Sequence, residues 1–186
     1  MKQISKRARV LTGGAALVAL GAGAFGTVSA NAAAPAAAPA AAVAKADAKK
    51  KNTTTSTHLT IDAATEAAQA ALDAAEKENQ RVSVAVVDRD GNTLVTLRGD
   101  GAGPQSYESA EKKAYTAVSW NAPTTELVKR LEQAPNLKDI PGTLFLGGGA
   151  PVTAKNAPVA GIGVAGAPSG DLDQKFAQAG ADALAK

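Results

Sequence analysis

The sequence predicts an α+β domain: a mainly antiparallel sheet flanked by helices. Three observations carry this. Residues 82–98 read as an alternating strand, a turn and a second strand. Stretches with 3.6-residue apolar spacing lie on both sides of that hairpin. The overall order is helix, hairpin, two helices, strands, helix, rather than a regular strand–helix alternation.

Thr60 precedes an alanine-rich stretch in which Ile61, Ala64, Ala68, Leu72 and Ala75 recur at helical spacing, so a threonine-capped helix is expected to about Asn79. Val82 to Val87 is rich in β-branched residues, Asp88-Arg89-Asp90-Gly91-Asn92 supplies turn chemistry, and Thr93 to Arg98 returns as a strand. After a Gly/Pro-rich loop at 99–104, Ser106 is expected to cap a helix to about Ser119, with Tyr107, Ala110, Ala114, Ala117 and Val118 on one face. Pro123-Thr124 opens a short helix carrying Leu127, Val128 and Leu131. Thr143 to Leu146 and Val159 to Ala165 read as strands, with a short one near Val152. Asp171 opens a last helix holding Leu172, Phe176, Ala179 and Leu184.

Ahead of the domain, residues 1–10 are positively charged and Leu11 to Val28 is apolar. Val28-Ser29-Ala30 offers a small-x-small cleavage site, so 1–30 reads as a secretory signal peptide and the protein as secreted, extracellular. Residues 31–57 are Ala/Pro repeats, a lysine-rich patch and a Thr/Ser run. They bury too little apolar area to offset ordering entropy and read as a disordered linker; the domain spans 58–186.

Composition removes several chemistries. The 186 residues include no Cys, one His and one Met, which excludes thiolate catalysis, disulfides, Cys-based zinc sites and any two-His metal centre. The net charge of +3 is unevenly distributed: the first 51 residues hold 8 Lys/Arg against 1 acid, and the rest hold 12 Lys/Arg against 16 Asp/Glu. The domain is mildly acidic, which argues against nucleic-acid binding. Its core is built from Ala, Val and Leu, with five aromatics beyond residue 52, and so lean a core predicts association into a homo-oligomer.

Gly161-Ile162-Gly163-Val164-Ala165-Gly166 fits the letters of a dinucleotide fingerprint. It lacks the strand-to-helix context and is followed by Pro168, so it reads as the strand itself. Gly147-Gly148-Gly149 lacks the Lys-Ser/Thr of a phosphate loop and reads as a turn. Asp88 to Asn92 lacks the later ligands of a calcium loop. Glu108 and Glu111 share one face of a predicted helix. Two carboxylates so placed can grip a hard cation or iron; equally, Glu108 can pair with Lys112. Lys112 and Lys113 could receive ligand carboxylates. His58, at the junction of linker and helix, needs partners from elsewhere to act as a metal ligand.

Several segments in this order resemble the GlcG/HbpS family: Val84 to Gly91, Leu97 to Gly101, Ala110 to Ala117, Asn121 to Thr124, Gly147 to Pro151, Gly161 to Gly166 and the Asp173 to Gly180 helix. The resemblance covers roughly residues 58–186. It implies an octamer that binds and degrades haem, taken as haem b, and binds iron in redox sensing outside the membrane. The partner it implies is the membrane sensor histidine kinase of a two-component system. It assigns the iron-binding glutamates to Glu108 and Glu111, an iron-binding histidine to His58 and a haem-linked threonine to Thr143. A second iron-site histidine of close members has no counterpart, since Arg81 stands at the aligned position.

After signal removal, axial haem ligands reduce to His58, Tyr107, Tyr115, a lysine or a weak oxygen such as Thr143, which favours modest affinity and release. Lys113 is the expected propionate contact. No nucleophile–base pair is visible and no catalytic residue is assigned. An enzyme of glycolate- or cobalamin-related metabolism on the same fold, with acid–base chemistry around Glu111, Lys113 and Tyr115, stands second.

Overall fold

The computed structural model describes residues 46–185. The predicted signal peptide and most of the linker lie outside the described residues, and the compact unit that carries the domain begins at Ala48. From there to His58 the chain is exposed, with one 3-10 turn at Lys50–Asn52.

Helix α1 (Ile61–Lys77) starts where expected, the Thr60 hydroxyl accepting the Ala63 N–H at 3.2 Å. Its buried residues are Ala64, Ala67, Ala68, Ala71, Leu72 and Ala75, an apolar stripe at spacings of three and four. Strands β1 (Ser83–Asp88) and β2 (Thr93–Arg98) form the expected hairpin. Its turn is organised by Asp88, whose Oδ1 accepts the N–H groups of Asp90 at 2.9 Å and Asn92 at 2.8 Å, with Gly91 taking φ +89°.

Helix α2 (Pro104–Trp120) begins two residues before Ser106, at the proline. Ser106 is buried rather than capping: its hydroxyl donates to Gly103 O at 2.6 Å and lies 2.8 Å from the Ser83 hydroxyl. Asn121, at φ +49°, ends the helix in the left-handed region before α3 (Thr124–Arg130).

The strand expected at Thr143 to Leu146 is absent. That segment is a loop: the Leu144 N–H is turned onto the Thr116 hydroxyl, and those of Thr143 and Leu146 onto Ile140 O and Leu144 O, not onto a neighbouring strand. The third strand is β3 (Gly149–Ala154), paired with β4 (Ala157–Ala165) through a tight turn in which Lys155 and Asn156 both have positive φ. The glycine-rich run is indeed strand: Gly161 and Gly163 lie within β4. Helix α4 (Gly170–Ala183) is capped by Ser169, whose hydroxyl accepts the Leu172 N–H.

The sheet order is β2-β1-β4-β3 and every pairing is antiparallel. This confirms the α+β prediction. All six residues of β1 are buried, because helices cover both faces. Val84 and Val86 join Ile162, Val164 and Phe176 in the main core beneath α1 and α4. Ala85 and Val87 point the other way, against Ala110 and Ala114 of α2.

Candidate functional site

What brings α2 so close to the sheet is glycine. A Cβ at Gly161 would strike the carbonyl oxygen of Ala114, and one at Gly163 the carbonyl oxygen of Ala110. With alanine on the helix and glycine on the strand, the two backbones touch. The helix is seated firmly on the sheet, and its opposite side is left free to carry chemistry.

That outer side holds Tyr107, Glu108, Glu111 and Lys112. Glu108 is exposed, and its Oε1 lies 2.6 Å from Lys112 Nζ. The hydrogen bond and positive charge of Lys112 hold its carboxyl below the ordinary glutamate value. Glu111 is half-buried and accepts the Thr96 hydroxyl at 3.2 Å, so β2 steadies it. Glu111, Lys112 and Tyr115 line a cavity of about 150 Å³ together with Val87, Gly91 and Gly142. The Tyr115 ring lies between two turns: ideal Cβ positions at Gly91 and Gly142 fall 3.0 Å and 3.6 Å from its two Cε atoms. Thr143 follows Gly142 directly, and its hydroxyl donates to Ile140 O at 2.7 Å. The loop bearing Thr143 and the helix bearing the glutamates therefore border one cavity.

Lys113 is not part of this surface. It faces inward, its Nζ 2.7 Å from Asp173 Oδ2 and donating to Val164 O at 3.0 Å, and its side chain is 5% exposed. The expectation that it receives a propionate is corrected: its amine is spent inside the protein. Burial outweighs the attraction of Lys113 and raises the Asp173 carboxyl above its usual range. Helical spacing already hinted at this, since Lys113 falls with Ala110, Ala114 and Ala117 on the alanine face. Lys112 is the cation at the cavity.

His58 gathers partners from a segment that reads in sequence only as a turn. Its Nδ1 lies 3.7 Å from Asp90 Oδ2 and its Nε2 2.6 Å from the Ser56 hydroxyl. His58, Asp88 and Asp90 each present a ligand atom within 4.8 Å of the others'. Burial disfavours charge on Asp88, but hydrogen bonds from Asn92 and Asp90 outweigh it and leave its carboxyl below the ordinary value. The available signal was the Asp-x-Asp spacing at the hairpin tip; pairing with a histidine some thirty residues earlier required the fold.

Of the potential ligands, one imidazole and two carboxylates come together at the hairpin, whereas on α2 Glu108 is paired with Lys112 and Glu111 with Thr96. A porphyrin fits differently. The cavity beside Thr143 is smaller than the 300–1,000 Å³ or so of pockets that enclose a ligand of that size. Haem at Thr143 would thus be held against an open surface with oxygen donors and Lys112 nearby. A larger groove of about 400 Å³, between α3 and the start of α4, contains none of these residues.

An antiparallel sheet with helices on both faces, one of them packed through glycines, defines a small α+β domain. The chain belongs to the family described as haem-degrading, HbpS-like, whose model matches residues 59–182. It is 73% identical to a solved double mutant of HbpS from Streptomyces reticuli, in which two glutamates three positions apart are aspartates. That match covers 77% of this chain and 98% of the other, with a TM-score of 0.76. A second solved HbpS is 76% identical over 75% of this chain and 99% of its own, with a TM-score of 0.74. A more distant structure, PduOC in complex with haem, is 27% identical over 68% of this chain and 95% of its own, with a TM-score of 0.63.

Proposed function

We propose that this chain is a secreted haem- and iron-binding protein that reports haem or redox status to a membrane sensor histidine kinase. It works as a homo-oligomer, an octamer as in the family resemblance, and haem degradation accompanies binding. Iron is held by Glu108 and Glu111 on the exposed side of α2, and a second iron position uses His58 with Asp88 and Asp90. Haem b is held at Thr143, with Lys112 reaching its propionates.

The observation that carries this reading is the shared border of the Glu111 helix face and the Thr143 loop. Glu111, a hard-oxygen donor of the kind that suits iron, there shares a cavity with Gly142, the residue next to Thr143, in a member of the HbpS-like family. Two further facts support it. The PduOC relative is solved with haem, and the HbpS double mutant alters two glutamates at the spacing of Glu108 and Glu111. Weak oxygen ligation at an open surface gives reversible binding, which suits a reporter.

Haemin titration of the protein lacking residues 1–30 tests this. Saturable growth of a Soret band at micromolar haem is expected, and Thr143→Ala should shift or weaken it. No band in the wild-type protein overturns the haem reading; an unchanged spectrum in the variant removes Thr143.

A further inference from the structure

Thr116 is fully buried in a helix whose inward face also carries Ala110, Lys113, Ala114 and Ala117. A threonine there is costly by propensity, and its hydroxyl competes with the backbone by donating to Lys112 O at 2.7 Å. The same oxygen accepts the Leu144 N–H at 2.8 Å. This bond ties the Leu144 N–H to α2 rather than to a strand. On the other side of Thr143, Gly142 sits against the Tyr115 ring at φ +79°. Two successive residues of α2, Tyr115 and Thr116, therefore bracket Thr143 through the residues before and after it. The Thr143 hydroxyl hydrogen is in turn committed to Ile140 O, so its lone pairs are the groups left to meet a ligand.

We propose that Thr116 is a positioning residue: through the Leu144 N–H it fixes the Thr143 oxygen relative to the glutamate face of α2. The proposal rests on the assignment of haem to Thr143. It adds a residue that touches no ligand, and a mechanical link between the iron-bearing helix and the haem loop.

Two readouts separate the proposal from that assignment. In the apoprotein, Thr116→Val removes the acceptor, and exchange of the Leu144 amide should accelerate about tenfold or more, as expected when a part-buried N–H loses its partner. Thr116→Ser keeps the oxygen and should retain protection. In haemin titrations, Thr116→Val should shift the Soret band toward that of Thr143→Ala and weaken affinity about tenfold, with Thr116→Ser restoring both. Thr116→Ala, in a helix already built on alanine, repeats the test if the valine variant folds poorly. Unchanged Leu144 exchange in the valine or alanine variant overturns the clamp. A freed Leu144 amide with an unaltered haem spectrum and affinity overturns the positioning role. Loss of haem binding in the wild-type protein itself would instead sink the assignment to Thr143.

Discussion

The two faces of the sheet are built on different principles. Beneath α1 and α4 lie Val84, Val86, Ile162, Val164 and Phe176, side chains that each contribute roughly 1.5–3 kcal/mol on burial. Beneath α2 lie Ser83, Ala85, Gly161 and Gly163, which bury little area but permit backbone contact and, between Ser83 and Ser106, a buried hydrogen bond. The first face supplies stability. The second supplies placement, since a helix seated on glycine cannot slide without a backbone collision, and every predicted iron or haem contact except His58 and Lys113 is arranged around its outer side.

The contrast breaks most sharply at the thick face. Phe176→Ala should cost about 4 kcal/mol of stability by cavity formation, read by denaturant unfolding, while iron stoichiometry of the folded fraction is unchanged. On the thin face, Gly163→Ala should cost about 3 kcal/mol by overpacking against Ala110 and should also lower iron affinity, because it displaces α2. Equal loss of binding in both variants would erase the distinction. Lys113→Met, which strands the Asp173 carboxylate, should cost about 3 kcal/mol, and adding Asp173→Leu should recover most of it. A double variant no better than the single would show that the pair itself, not the avoidance of an unpaired charge, is what matters.

The hairpin tip adds a pH dependence. Because the Asp88 carboxyl is depressed in the folded state, its contribution is present above the ordinary aspartate value and is lost as pH falls through the depressed one. Asp173 is raised and has the opposite sign, its favourable contribution being lost as pH rises through the raised value. Asp88→Asn should therefore flatten the fall in urea midpoint as pH drops below the ordinary aspartate value of about 4, and an unchanged slope there would assign acid sensitivity elsewhere.

The same contrast governs how much was legible in the sequence. The thick face announces itself in period: alanines at helical spacing in α1 and alternating valines in β1 marked both elements nearly to the residue. The glycines of β4 read as strand, but their purpose is not legible locally, since seating α2 is a contact between residues about fifty apart. Thr143-Leu144-Phe145-Leu146 has the composition of a strand, but its N–H groups go to Ile140 O, the Thr116 hydroxyl and Leu144 O, and the Thr116 partner is not visible in local sequence. Glu108 and Glu111 were legible as one helix face. Lys113, the expected propionate contact, stands next to Lys112 in sequence, but a helix turns about 100° per residue and points it inward. Asp88 and Asp90 stayed hidden because the histidine that completes their cluster arrives from before α1.

The smallest effect on stability should accompany the largest effect on binding. Glu108→Ala/Glu111→Ala alters an exposed and a half-buried side chain away from the core, so its thermal midpoint should stay within about 2 °C of wild type. Iron retained per protomer, measured by elemental analysis after loading and desalting, is the direct test. With an iron site on the α2 face, the double variant loses one equivalent relative to wild type while keeping its fold; identical iron content in the two proteins would contradict it.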